Sequence, residues 1–334
     1  MLRSPDVRAH RLPAAHLAVA TAAILFGTTY VPGQRALEDL SAAGFVTIRF
    51  AVAAMVMLPF VARRSATTLE PAGRPGPYLV GGAIGGACLF TLLMLQSAAL
   101  TLTTAGNVAF LGSLAVVLVP LLTAVVTRRA PSGFVIVGTL LAVVGACFLT
   151  GATLAIGAGD ALALISAFGV ALHIMSIGYF APRLSPARYN FVQFAVVTAA
   201  AAVVATISGF GHVTTGAVAV TAACGVVQAV GLALQVTGQR RISATSSALI
   251  LMLIPLTGAA LDVLVNGVSL SPLATLGAVL VLGSVVVGEL LPGRASGRRA
   301  GSASGRRAGS ASGRRAGSAS GRRAGSASGR RAGS

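Results

Sequence analysis

Apolar residues in this chain fall in ten long runs rather than in the two-residue rhythm of a strand or the one-sided stripe of a water-facing helix. The runs cover 14–33, 41–61, 77–99, 102–126, 132–151, 159–180, 189–208, 216–238, 243–265 and 272–291. Each is close to the roughly 20 apolar residues that cross a hydrocarbon core about 30 Å thick. Short connectors separate them, several rich in Pro and Gly, such as 71–77, 130–133 and 208–211. Such gaps leave no space for a soluble domain between spans. A large water-soluble helical protein would carry outer helices with one charged face, and few of these segments have one. The pattern predicts an all-α membrane protein with ten transmembrane helices.

Composition sharpens this picture. Hydrophobic residues make up 55% of the chain and charged residues 10%, against about 25% charged in a typical soluble domain. The chain has no lysine, so its arginines alone report orientation through the excess of positive charge in cytoplasmic loops. With the N-terminus inside, Arg3, Arg8, Arg11, Arg63, Arg64, Arg74, Arg128, Arg129, Arg183, Arg188, Arg240 and Arg241 all fall on the cytoplasmic side, together with every arginine from Arg294 onward. Arg35 alone falls outside, and Glu38, Asp39, Asp160 and Asp262 lie on or near that outer side. Hydrophobicity continues past the small-residue triplet at Ala18 as far as Phe26, so the first span reads as an uncleaved anchor rather than a secretory signal. The expected location is the bacterial plasma membrane, multi-pass, with both termini cytoplasmic.

The second half of the chain repeats the first in order. Phe26-Gly27 matches Phe168-Gly169, Arg49-Phe50-Ala51-Val52 matches Gln193-Phe194-Ala195-Val196, and Leu95-Gln96 with Thr104-Ala105 matches Leu234-Gln235 with Ser243-Ala244 at the same spacing. Pro120 corresponds to Pro255, and Gly138/Gly145 to Gly277/Gly283. Five spans per unit is an odd number, so the second unit enters the membrane from the opposite face. The expected organisation is a short segment 1–13, a five-helix repeat 14–151, an inverted five-helix repeat 159–291 and a tail 292–334. Secondary transporters use such inverted repeats to build alternating access around a midplane site.

The runs Phe26-Gly27-Thr28-Thr29-Tyr30-Val31 and Ile48-Arg49-Phe50-Ala51, with the Thr104-Ala105…Pro120 and Ser243-Ala244…Pro255 helices, resemble those of EamA-type permeases of the drug/metabolite transporter superfamily. The resemblance covers about 14–291 and implies a ten-span bacterial inner-membrane carrier, often an exporter of amino acids or other small metabolites. The chain departs from the family's Gly-Glu-Arg-like turn after spans 4 and 9, where it has Arg128-Arg129-Ala130 and Gly267-Val268-Ser269. Span 1 also lacks the carboxylate by which small multidrug antiporters, distant relatives, exchange protons for cations.

Polar side chains at membrane depth face the bundle interior or a wet cavity. Arg49 lies deep in span 2; it can snorkel outward, make a fixed structural contact or meet substrate, and Asp262 is its best candidate counter-ion. Ser166, Gly169, His173 and Ser176 share one side of span 6. Gln228 lies mid-span 8, Asn107 and Thr103 share a face of span 4, and Thr21 and Thr28 a face of span 1. Each can be helix-to-helix glue, or together they line a neutral, hydrogen-bonding cavity. The substrate-binding candidates are therefore Arg49, Asn107, His173, Gln228, Thr28 and Ser166. Cys88, Cys147 and Cys224 fall mid-span without neighbours at metal spacing, so they read as packing residues, and no metal or other cofactor is expected.

From Gly297 the chain repeats Gly-Arg-Arg-Ala-Gly-Ser-Ala-Ser to its end. Residues 292–334 hold eleven arginines and no acid, and account for most of the net charge of +18. Such a tail cannot bury a core and is expected to be disordered; it can touch anionic lipid at about 1 kcal/mol per residue near the surface, while no specific nucleic-acid reader accompanies it. The leading functional reading is a secondary transporter that exports a small metabolite such as an amino acid by alternating access. An importer of the same fold, a membrane-embedded enzyme and a channel are the alternatives; the last two lack a carboxylate or histidine cluster and a filter loop, respectively. Its partners are a small-molecule substrate and the lipid bilayer, and the sequence carries no signal for an oligomeric state.

Overall fold

In the computed structural model of the protein, residues 11–67, 76–151, 157–267 and 269–290 are described. The tail from 292, most of the N-terminal segment and most of the 71–77 connector lie outside them. Among the described residues, ten helical segments are long and apolar enough to span a bilayer: Pro13–Asp39, Ala42–Ala62, Gly76–Leu100, Gly106–Thr127, Gly133–Thr150, Ala158–Phe180, Pro186–Ser208, Thr215–Gln239, Ala244–Asn266 and Pro272–Glu289. These are spans 1 to 10 of a multi-pass membrane protein. Most boundaries agree with the sequence reading within a few residues. Two do not: span 1 runs on to Asp39, and span 4 starts later than 102 because the Thr104 hydroxyl takes the Asn107 N–H at 3.2 Å and caps a helix that begins at Ala105.

Three of the spans are broken. Span 1 is Arg11–Gly27 followed by Tyr30–Asp39, span 4 is Ala105–Ser113 followed by Ala115–Thr127, and span 9 is Ala244–Leu251 followed by Leu253–Asn266. In spans 1 and 9 a proline, Pro32 or Pro255, occupies the first turn of the second piece, where its missing N–H costs nothing but leaves the carbonyl four residues earlier without its helical donor. Span 9 is capped like span 4, with the Ser243 hydroxyl accepting from Ser246 N.

The outside of the bundle is greasy. Ile207 is 82% exposed, Leu264 80% and Val125 75%, a surface that water would penalise and lipid tails do not. Inside, small residues alternate with a few large ones, and Tyr189, Phe50 and Phe194 are fully covered. Phe50 and Phe194 meet edge to face at 5.6 Å where span 2 packs on span 7. Span 3 packs on spans 6 and 7, span 8 on spans 1 and 2, and span 5 along span 10. That last seam is built from small residues: a side chain on Gly277 would strike Leu149 N at 2.4 Å and Gly145 O at 2.6 Å, so the two backbones approach as closely as membrane helices do at small-residue contacts.

At the end where spans 1 and 2 meet, Leu40 pairs with Gly211 in an isolated bridge. Ser41 N donates to Phe210 O at 3.0 Å and His212 N to Asp39 O at 2.8 Å. Gly211 has φ +81°, and a Cβ there would lie 2.5 Å from Ser41 N. Only glycine fits this left-handed, crowded position, which ties the 1–2 loop to the 7–8 loop.

Candidate functional site

The site begins with the break in span 1. Two consecutive threonines sit at the break, and each hydroxyl turns back on a carbonyl: Thr28 Oγ1 donates to Leu25 O at 2.7 Å and Thr29 Oγ1 to Phe26 O at 2.8 Å. The Thr29 hydroxyl still has lone pairs free, and it accepts from Arg49 Nη2 at 3.1 Å. The same Nη2 donates to Gln228 Oε1 at 2.6 Å. Arg49 is 8% exposed, and its guanidinium lies over the Phe45 ring at 5.7 Å. Gly225 makes the contact with Gln228 possible, since a Cβ there would fall 2.5 Å from Arg49 O. Span 8 therefore presses against span 2, and Gln228, almost one turn further on, reaches the arginine.

Arg49, Thr29 and Gln228 line a cavity of about 170 Å³ inside the bundle, with His173, Gln96 and Gln235 also on its wall. The remaining lining is largely apolar, contributed by residues such as Phe26, Leu92, Leu93 and Leu232. Tyr30, Gln34 and Leu100 are shared with a second, larger cavity of about 410 Å³ that reaches Gly151, Ser269 and Leu270. The second cavity lies toward the end of the bundle that holds Asp39, Gly151 and Gly267. Toward the opposite end, which carries Arg128, Arg183 and Arg240, a third cavity of about 90 Å³ shares Gln96 and Ile174 with the first and reaches Ala115 and Ala248. There Gln239 bridges spans 8 and 6 by donating to Ile174 O, and Ala115, Val119, Ala171, Ile174 and Ala248 pack together.

The sequence candidates separate into two groups. Arg49, His173 and Gln228 stand on the cavity wall. Thr28, Asn107 and Ser166 are absent from that wall. Thr28 turns onto its own helix, and Ser166 is fully buried with its hydroxyl on Ala163 O at 2.6 Å. Asn107 Nδ2 donates to Asp160 Oδ1 at 2.9 Å, and Thr103 Oγ1 donates to the same oxygen at 2.8 Å. Asp160 Oδ2 accepts from Gly157 N at 3.1 Å, so this cluster fastens the start of span 4 to the start of span 6.

Asp262 is not the counter-ion of Arg49. It accepts from Asn266 Nδ2 at 2.5 Å, Asn266 Oδ1 accepts from Arg35 Nη2 at 2.6 Å, and Asp262 borders the larger outer cavity. Polar side chains of spans 1 and 8 hold Arg49 instead, because the break in span 1 brings Thr29 within reach. Among the described residues Arg49 makes no ion pair, and its Nε has no hydrogen-bond partner. The described residues also contain no group of three or more His, Cys, Asp or Glu able to hold a metal.

His173 faces the other half of the bundle. Gln193 Nε2 donates to Asn190 Oδ1 at 3.2 Å, which leaves Gln193 Oε1 to accept from His173 Nε2 at 2.9 Å. Polar wall residues outside the candidate set are Thr29, Tyr30, Gln34, Gln96, Ser97 and Gln235. A signal for two of them exists in the sequence, since Gln96 and Gln235 occupy matching places in its two halves.

The sequence pattern of the EamA-like transporter family matches residues 13–151 and again 157–288. The chain belongs to the EamA-like transporter family. This is a family of transporters rather than of enzymes. The EamA-like chain is also 30% identical over 179 residues to an uncharacterized transporter of Archaeoglobus fulgidus, a match covering 54% of each protein, so it spans about half the length of that curated relative. A solved crystal structure superposes with a TM-score of 0.70 at 19% identity, over 84% of this chain and 98% of the other, and so supports the fold alone.

Proposed function

We propose that this EamA-like protein is a secondary transporter that exports a small metabolite of amino-acid size across the bacterial plasma membrane by alternating access, with both termini in the cytoplasm. The observation that carries the proposal is a buried cavity with Arg49 and Gln228 on an otherwise largely apolar wall, bordered by a larger cavity toward one end of the bundle. Secondary carriers hold their ligand in such a cavity near the middle of the bilayer. Broken helices with polar groups at the break are the usual way membrane carriers expose backbone to a midplane ligand.

An inverted repeat supports the reading of alternating access. Exchanging spans 1–5 with 6–10 turns the 3–6 contact into 8–1 and the 3–7 contact into 8–2, and it leaves the 2–7 and 5–10 contacts in place. Such near-symmetry gives the two halves a second packing of similar energy in which the two ends trade places. Orientation rests on the arginines, which would put the end that carries Arg128, Arg183 and Arg240 in the cytoplasm and the end that holds Asp39 outside.

Untargeted metabolite profiling of cells lacking or overproducing the protein tests export directly. The expected result is one small metabolite that accumulates inside on deletion and outside on overproduction. No change in either compartment, or the opposite change, would contradict an exporter.

A further inference from the structure

Deepening that reading, we infer that the cavity ligand is a small organic monoanion, a carboxylate on an apolar body, held at Arg49 with no charged amino group. Arg49 is more than nine-tenths buried and lines the cavity. Among the described residues its hydrogen-bond acceptors are neutral, Thr29 and Gln228, both on Nη2. Nε is left without a partner and no carboxylate neutralises the charge among the described residues. An uncompensated cation at membrane depth is costly, and it is tolerable where a ligand brings the missing charge. A charge-assisted bond from guanidinium to carboxylate is the strongest polar contact such a site can offer.

The rest of the wall narrows the class. It carries His173, already committed to Gln193, and neutral amides and hydroxyls, but no Asp or Glu. A zwitterionic amino acid would bury an ammonium with no counter-charge, and a lipophilic cation would meet Arg49 itself. Asp262, the acid of the outer cavity, is not on this wall. A dianionic phosphate would call for more than one cation, and Arg49 is the single Arg on the wall. The apolar majority, Leu89, Leu92, Leu93 and Leu232 among them, suits a hydrocarbon body. A volume of about 170 Å³ suits the size, given that an apolar cavity of about 150 Å³ holds benzene.

The test is binding of four compounds of one skeleton to the full-length protein in lipid nanodiscs, read by calorimetry: 4-methylpentanoate, its amide, leucine and 4-methylpentylamine. The acid is expected to bind at least about tenfold more tightly than the other three, as a hydrogen-bonded charge pair would give. Arg49→Gln should abolish that preference, and Arg49→Lys, which keeps the charge, should retain most of it. Equal binding of leucine or the amide, a preference that survives Arg49→Gln, or no millimolar binding by any of the four would overturn the inference. Uptake into substrate-loaded proteoliposomes separates it from the transporter reading. Arg49-dependent binding of the acid without movement across the vesicle would sink transport and keep the ligand class. Movement of leucine or the amine in place of the acid would sink the ligand class and keep transport.

Discussion

Arg49 in span 2 and Gln193 in span 7 stand at matching places in the two halves of the sequence, yet their surroundings differ. Gln193 is fully buried and closes a neutral chain with His173 and Asn190. Gly85 lies against it so tightly that a Cβ would come within 2.6 Å of its Oε1. Arg49 makes its contacts to spans 1 and 8, but ends on a cavity and has no carboxylate partner among the described residues. One position is a packed strut and the other a cavity-facing cation. The difference lies in what each arginine-or-glutamine position is given by its neighbours: a complete set of partners on one side, and an incomplete one beside empty space on the other.

Several substitutions can break or sharpen this contrast. The largest effect is expected from Arg49→Ala, which should lower transport of the cavity ligand at least about tenfold while Gln193→Ala changes it less than about threefold, because only the first removes a charge-assisted contact. Initial rates in proteoliposomes check this, and equal losses would erase the contrast. Gly225→Leu comes next. It drives a side chain into the backbone at Arg49, so it should destabilise the folded protein by about 1–3 kcal/mol or more and weaken ligand binding with it, seen as a lower unfolding midpoint in detergent.

Gln193→Ala should act on stability instead, at about 0.6 to 1.7 kcal/mol, the range measured for helix-to-helix hydrogen bonds in membranes. Asn107→Leu sharpens the comparison from outside the cavity. It strips a donor from Asp160 and should lower the unfolding midpoint in detergent while leaving ligand affinity within about twofold. A large loss of affinity with an unchanged unfolding midpoint would return Asn107 to the site. The smallest effect is expected from truncation after Pro292, which should leave the transport rate of reconstituted protein unchanged, since every cavity residue precedes it.

How much of this was legible in the sequence depends on whether a helix runs unbroken. Hydrophobic length located all ten spans, and depth in span 2 singled out Arg49. The family resemblance on the Phe26 to Val31 and Ile48 to Ala51 runs agrees with the family pattern found over both halves. Reading faces from an ideal helix then selected Thr28 in place of Thr29, because the break ahead of Pro32 turns the second threonine, not the first, toward Arg49. For Ser166 the same reasoning does not show that its hydroxyl is spent on the carbonyl of Ala163, one turn earlier in the same helix. Charge and depth point Asp262 to Arg49, whereas its carboxylate accepts from Asn266, which in turn accepts from Arg35. Thr104 and Ser243 were visible as a repeated pair, but that they are caps of broken helices follows only from their hydroxyls taking the Asn107 and Ser246 N–H groups.

The central claim, that one cavity faces the two sides of the membrane in turn, is tested most directly by labelling a single cysteine at Ser97, on the cavity wall, in a protein whose three native cysteines have been replaced. A membrane-impermeant maleimide added outside should react with it in the conformation described here. The same reagent confined to the inside of the vesicle should react as well, at a rate that ligand alters while Arg49 is intact. Labelling from one side only, under every ligand condition, would contradict alternating access.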